Sequence, residues 1–428
     1  IMQKILLFIA SLFYFNFLFS KNEIKSWQGI HETPLSRLEQ QFAEPPVEFA
    51  NHVIWGWEGK MDKKTICNDL DSIKKKGFRA VIFEAGYKLP FKYLSEEWFK
   101  AIRTGVVEAK KRDMKVWIID EGKYPSGFAG GKFSQERPDL RMQALVIGDT
   151  IQIKRGEVMT NHKIAPEIIS AVAVSTSGAP NRTVEINNGK ISFNAGLDDW
   201  KILLVKSDFR TAVTRAVNNP NGGKDATNSL CDYLNPVAVQ QFIDWTHKQY
   251  KKYLGKELGT TVLGFRGDEP DYAHLPWTPS IVQTFKDTKG YDPTPYLASF
   301  FTASPTIQEQ RVKADYWDVW SSLFATHFFK LQADWCAANG VAHITHLNKE
   351  HEMPACVKAE GDYFRALSKV QIPGVDAIWN QIWPSTLNDF PKLASSVAHV
   401  YGKPRAFSES FAAYHISPTK IGRASCRE

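Results

Sequence analysis

"HVIWGWEGKMDKKTICNDLDSIKKKGFRAVIF", residues 52–83, decides the fold. It opens on a short apolar, β-rich run at 52–57. It continues through Ile66, Leu70 and Ile73 at helical spacing, stops at Gly77, and returns to an apolar run at 80–83. Strand, helix and strand in that order make a βαβ unit, which implies a parallel sheet. The rhythm carries on outward from there. A helix over 95–112 starts at Ser95, a good N-cap, with Glu96 and Glu97 in the first turn, and a third strand covers 115–119. Beyond a break, a helix is expected over 236–254 with Pro at its start, a fourth strand over 261–267, helical stretches over 280–289 and 307–339, and a fifth strand over 342–347. A helix over 359–369, a strand over 374–377, a helix over 390–401 and a strand over 405–407 complete the pattern. The prediction is an α/β fold, a (β/α)8 TIM-type barrel that is incomplete at about seven βα units.

The break runs from 143 to 209. Strand-like runs at 144–153, 171–175, 183–186, 190–193 and 202–205 predict a small β-rich subdomain inserted after the third strand. Asn188–Gly189 marks a hairpin turn between two of these runs. The expected division is a signal peptide over 1–20, a lead-in over 21–48, the first part of the barrel over 49–142, the insertion over 143–225 and the second part of the barrel over 226–420. The closing string "IGRASCRE", 421–428, reads as a translated sequencing adapter joined to a shortened gene, where an eighth barrel unit is expected.

Lys4 followed by an apolar run over 5–19 and Ser20 reads as an export signal. The run is short for a membrane span of roughly 20 residues. The expected location is therefore periplasmic or secreted, with no span after signal cleavage; an uncleaved anchor is the alternative. The formal charge is +7. Without the signal and the tail it falls to +5, and no basic run accompanies it, so nucleic acid is not an expected partner. Cys67, Cys231, Cys336 and Cys356 are widely spaced, without a C-x-x-C pair, and read as buried small apolar residues; one disulfide is the alternative.

Chemistry in such barrels gathers at the C-terminal ends of the strands. Acids stand there repeatedly: Glu58, Glu84, Asp120–Glu121, Asp268–Glu269, Glu350, Asp376 and Glu409. Cleaving a glycosidic bond takes two carboxyl groups, one protonated and one acting as base or nucleophile. Glu269 and Glu409 are the preferred pair and Glu350 the third candidate. Pro270 is expected to hold Glu269 extended; a structural pairing of Glu269 with Arg266 is the alternative. Trp277, Trp379 and Trp383 are candidate sugar-stacking walls. Trp55 and Trp57 are read as lying on alternate faces of their strand, so that one reaches the mouth. Asp120, Glu121, Ser126, Asp268, His346, Asn348 and Asn380 complete the expected substrate-binding set, around an oligo- or polysaccharide. "SGFAGGKF", 126–133, fails as a phosphate loop because Ser126 replaces the first Gly and Phe133 follows Lys132. His343, His346 and His351 with Glu350 and Glu352 lack an H-E-x-x-H pattern, so zinc catalysis is not favoured; bound Ca²⁺ suits the many acids better. No organic cofactor is expected, and the absence of G-x-S-x-G argues against an esterase.

Six segments, "WGWEG" (55–59), "DLDSIKKKGFRAVIFEAG" (69–86), "DEGKYPSGFAGG" (120–131), "GFRGDEPDY" (264–272), "HLNKEHE" (346–352) and "SESFAAY" (408–414), resemble glycoside hydrolase family 106, the α-L-rhamnosidases. The likeness runs from about Phe49 to Tyr414. It implies a (β/α)8 catalytic domain, inverting attack on terminal L-rhamnose, glutamates as acid and base, and calcium dependence. By position those glutamates fall among Glu269, Glu350 and Glu409, with their roles open. A non-catalytic glycan-binding barrel, a glycosidase for another sugar and a metal-dependent hydrolase are the rival readings.

Overall fold

The computed structural model describes residues 34–44, 51–211, 214–216, 224–225, 229–272, 274–303, 305–378 and 389–410. The chain forms two compact units, Ile1–Glu48 and Phe49–Glu428. In the first, Leu35–Ala43 is helical, with no side chain capping its start.

The second unit is built on seven strands: β1 (His52–Trp57), β2 (Ala80–Ala85), β3 (Lys115–Ile119), β4 (Val262–Asp268), β5 (Ala342–His346), β6 (Ile372–Ala377) and β7 (Phe407–Ser410). They lie in one sheet in chain order, each parallel to the next. This is a mixed α/β fold with a barrel-type parallel wall. Helices between the strands are started by the residues the sequence offers. Asp62 caps Lys63–Lys75 by accepting from Thr65 N at 2.9 Å, and Ser95 caps Glu96–Lys111 by accepting from Trp98 N at 3.3 Å. Ile66, Leu70, Ile102 and Val106 on those helices pack against Phe83, Val116, Ile118 and Phe265 from the sheet. Gly264 lets β4 and β5 approach: a Cβ there would stand 2.0 Å from the carbonyl oxygen of Ala342.

The long helices differ from expectation. The stretch over 236–254 is two helices, Pro236–Trp245 and His247–Leu254, broken at Thr246. The stretch over 307–339 holds a π turn, Phe324–Phe329, between Ile307–Leu323 and Lys330–Ala338. In place of the helix expected over 359–369, one short helix, Met353–Glu360, ends as that stretch begins and a second, Tyr363–Leu367, follows after Gly361.

The β-rich insertion supplies four strands of a five-stranded antiparallel sheet, in the order Gln143–Ile153, Trp200–Phe209, Ile168–Ser175, Arg182–Thr183, and Pro276–Trp277 from the loop after β4 pairs with Gln143–Ile153 at the edge. Alternation buries both faces. Ala171, Ala173, Ile202 and Leu204 face a small core of their own, while Val172, Leu203 and Val205 enter the large core shared with the helices of the second half. Asn188 and Gly189 adopt positive φ, 52° and 69°, and Asn187 and Lys190 exchange both backbone hydrogen bonds, as a type I′ hairpin requires. The partner of Lys190–Asn194 is Val158–Lys163, not the run over 183–186. Cys67, Cys231, Cys336 and Cys356 are all free thiols, and all but Cys67 are buried.

Two tryptophan expectations are overturned. Residues two apart on a strand share a face, and Trp55 and Trp57 do: their rings meet edge-on at 5.3 Å, and both contact Phe83. Trp57 is fully buried against Trp98, and Trp55 is half-buried on the same cluster. Trp277 is 6% exposed and belongs to the large core.

Candidate active site

Parallel register brings the acid-bearing strand ends together. Asp268 closes β4 beside His346, which closes β5, and Asp376 on β6 stands beside Glu409 on β7. Around the His346 ring, Nε2 lies 3.4 Å from Asp268 Oδ1, 3.8 Å from Glu269 Oε1 and 3.8 Å from Glu409 Oε2. On the other side of the ring, Arg266 Nη2 stands 3.4 Å from Nδ1. A guanidinium has no lone pair to offer, so Nδ1 faces it as acceptor and the ring proton sits on Nε2, toward the three carboxylates. Arg266 also pairs with Glu409.

The backbone at Glu269 is strained. Pro270 was expected to keep it extended, but its φ is +38°. Strain at a non-glycine residue persists only where the surroundings hold it, and it gathers at functional sites. Here Asp268 N donates to Ser126 Oγ at 2.6 Å and Ser126 N donates to Asp268 O at 2.9 Å, which fixes the end of β4 just before the turn. The Glu269 carboxylate is turned toward His346, and the alternative pairing with Arg266 is taken by Glu409 instead.

Burial governs the protonation of this group. It pushes the Asp268 carboxyl up to about 7 and the Asp376 carboxyl up to about 8. Glu350 is raised well above the usual range, first by burial and then by Glu269 and Asp376. Glu409 goes the other way: burial opposes its charge, but Arg266 and His346 outweigh that and hold it below the ordinary value.

The expected site residues divide accordingly. Glu269, Glu409, Asp268 and His346 converge. Glu350 is adjacent but only 2% exposed, its Oε1 accepting from Leu347 N at 2.9 Å and Asp376 N at 3.4 Å. Asn348 joins the loop after β5 to Tyr124 Oη at 3.2 Å and Asp271 Oδ2 at 3.1 Å. Asp120, Glu121 and Ser126 lie beneath the site, each 1% exposed or less and each hydrogen-bonded by the protein itself. Ser126 Oγ donates to Asp120 Oδ1 at 2.7 Å, and the Glu121 carboxylate is wrapped by the backbone N–H groups of Gly122, Ala129 and Gly130. The glycine-rich loop therefore encloses a buried acid. Trp379, Asn380 and Trp383 lie outside the described residues.

Sequence reasoning left Arg266, Asp376, Tyr124, Asp271 and Glu360 out of the site. Asp376 carried the same strand-end signal as the others. Tyr124 and Asp271 sit inside the quoted motifs. Glu360 ends a helix, and only the tertiary fold brings its Oε1 to Asn348 N, at 3.0 Å.

A calcium ion takes oxygen ligands, six to eight of them. The ring around His346 does not fit one: a nitrogen stands at its centre, with its proton toward the acids, and Arg266 already pairs Glu409. Two other oxygens fit better. Asp271 Oδ1 and Glu360 Oε2 are buried without a hydrogen-bond partner among the described residues, while the other oxygen of each carboxylate bonds Asn348.

The family model described as alpha-L-rhamnosidase, glycoside hydrolase family 106, matches residues 165–427. A protein of Formosa agariphila named "Putative beta-glucuronidase" is 23% identical over 433 residues, covering 88% of this chain and 35% of its own length. The solved rhamnosidase from Novosphingobium sp. PP1Y superimposes with a TM-score of 0.65 at 15% identity, covering 92% of this chain and 55% of that one. The chain thus spans about a third to a half of the length of these relatives, and the structural likeness extends through nearly all of it. With the family model matched over more than half the sequence, the chain belongs to glycoside hydrolase family 106, the alpha-L-rhamnosidases.

Proposed function

We propose that this chain carries the catalytic (β/α)8 barrel of an exported, exo-acting glycoside hydrolase that removes a terminal α-L-rhamnose from a plant or microbial polysaccharide. One observation carries the reading: Glu269 and Glu409 approach one buried imidazole nitrogen from separate strands, each at 3.8 Å. The electrostatics of the cluster supports one assignment of roles. Glu409, kept ionised by Arg266 and His346, is the base that draws a proton from water. Glu269 is the acid that protonates the leaving oxygen, since like charges packed this closely with Asp268, Glu350 and Asp376 cannot all ionise and protons are held among them. Glu350, deeply buried and raised, serves as a positioning residue. The two oxygens that face His346 stand no more than twice 3.8 Å apart, a ceiling that admits both the inverting spacing of about 6.5–9.5 Å and the retaining one of about 5–5.5 Å, so the product anomer decides between them. Calcium would be held by Asp271 and Glu360, where its charge would offset two buried acids and fix Asn348.

The apolar run over 5–19 supports export, and among the described residues no helix is long and apolar enough to cross a membrane. The test is a panel of aryl glycosides including the α-L-rhamnoside and, because of the Formosa relative's name, the β-D-glucuronide. NMR of the first product reads the anomer. Release of β-L-rhamnose is the expected result; release of the α-anomer, or of no sugar at all, would remove the inverting rhamnosidase reading.

A further inference from the structure

A second polar cluster lies away from the mouth, between the sheet and the outer helices. His247 starts the helix His247–Leu254, Cys336 lies on Lys330–Ala338, and His343 is on β5. His343 and His346 are three residues apart on that strand, so they point to opposite faces of the sheet. One ligand atom from each of His247, Cys336 and His343 lies within 4.8 Å of the others. All three residues are 1% exposed or less, among aromatic walls: the Phe265 ring stands 4.2 Å from that of His247, and Trp335 stands 5.3 Å away.

Such an interior does not readily tolerate unmade polar bonds, each of which costs about 1–3 kcal/mol. Yet His247 Nε2 and both ring nitrogens of His343 have no hydrogen-bond partner among the described residues. The tautomer of His247 is set from outside. Thr246 Oγ donates its own proton to Phe242 O at 2.7 Å, so it accepts from His247 Nδ1–H at 2.9 Å, and Nε2 is left with its lone pair. Holding one imidazole nitrogen so that the other is free to bind is how metal-ligating histidines are oriented. Thr246 is also where the helical stretch over 236–254 breaks, with φ −111° and ψ −86°. Burial takes the His343 imidazole down to about 3, so it too is neutral.

We propose that His247, Cys336 and His343 bind a single zinc ion behind the barrel wall. Two imidazoles and a thiolate are donors zinc accepts, with Zn–N of about 2.0–2.1 Å and Zn–S of about 2.3 Å. Tetrahedral ligands at those bond lengths stand about 3.3–3.6 Å apart, and the three atoms already lie within 4.8 Å of one another, so the cluster draws together on binding. The Cys336 thiol, raised by burial, gives its proton to solvent as the metal–sulfur bond forms. A fourth position is left for water. The ion would join two helices and β5 at a point where Gln371, which accepts from His343 N at 2.8 Å and donates to Ala333 O at 2.9 Å, already ties the strand to the second of those helices.

The protein is produced in cobalt-supplemented medium, because a site this enclosed takes up its metal as the helices dock. The expected result is one cobalt per chain with a near-ultraviolet thiolate-to-cobalt charge-transfer band, which the thiol-free cluster at His346 cannot give. The band should vanish in Cys336→Ala. Thr246→Val keeps all three ligands and releases the His247 tautomer, and it should weaken zinc affinity about 10–100-fold in chelator competition. No band in the parent protein, or a band that survives Cys336→Ala, overturns the proposal. Should Cys336→Ala fail to fold, the parent spectrum and Thr246→Val still decide it.

Discussion

Neighbouring strands β3 and β4 end in near-identical words, Asp120–Glu121–Gly122 and Asp268–Glu269–Pro270, and the two pairs of acids do opposite work. After β3 the chain enters a glycine-rich loop that folds back and spends its N–H groups on Glu121. Gly127 makes the fold-back feasible: its φ is +95°, and a Cβ there would meet the Tyr233 ring at 2.4 Å. After β4, Pro270 has no N–H to donate, and Asp268 and Glu269 stay 19% exposed, facing His346. The difference shows that an acid at a strand end is only a candidate. The next residues along the chain decide whether its charge is consumed by backbone or left for a substrate.

The hardest test of that contrast removes a charge from the open pair. Glu269→Gln should lower turnover by about 10²–10⁴-fold while leaving thermal stability and ligand retention near the parent values. Steady-state kinetics together with a melting curve read both, and near-normal turnover removes Glu269 from the mechanism. Glu409→Gln should separate from it. Arg266 is 2% exposed, and Glu409 is its ion-pair partner among the described residues. Taking away one side of a buried pair costs about 3–5 kcal/mol, so this variant should lose stability as well as turnover. Equal melting temperatures for the two variants would mean that the Arg266 pair adds little.

Much of this architecture was readable in the residues, and what was missed has physical causes. The bounds of β1 and β3 and the caps Asp62 and Ser95 follow from local pattern, because an apolar run or a capping side chain acts within a few residues. The strand Val158–Lys163 was invisible because nearly all of it is exposed and its pairing is irregular between Met159 and His162. The aromatic walls failed for a different reason. Whether Trp57 or Trp277 meets solvent depends on Phe83, Trp98 or Tyr272, which arrive from elsewhere in the chain. At the site, the identity of the acids was legible at strand ends, but the clustering of four of them on His346 and Arg266 is set by strand register, and the strain at Glu269 ran against the expectation from Pro270.

The closed pair gives the smallest effect, and its sign depends on pH. Burial pushes Glu121 up to about 7, despite the N–H groups that favour its charge. The folded chain therefore holds a proton that the unfolded chain, with a carboxyl near 4.3, has already released across the window between those values. That contribution to stability is fully present below about 4.3 and is lost as pH rises through about 7, at no more than about 1.4 kcal/mol per pH unit. Asp232, Asp268 and Asp376 are raised as well and act in the same direction, so the parent curve slopes for several reasons at once. Glu121→Gln removes only its own share. At pH 5 the amide sets an N–H₂ against one of the backbone donors, costing about 1–3 kcal/mol. By pH 8 the parent has lost its advantage and the gap should have narrowed. Melting temperatures at the two pH values measure this directly. A gap unchanged between pH 5 and pH 8 would mean that Glu121 is already ionised in the folded protein at pH 5, with its three N–H donors outweighing burial.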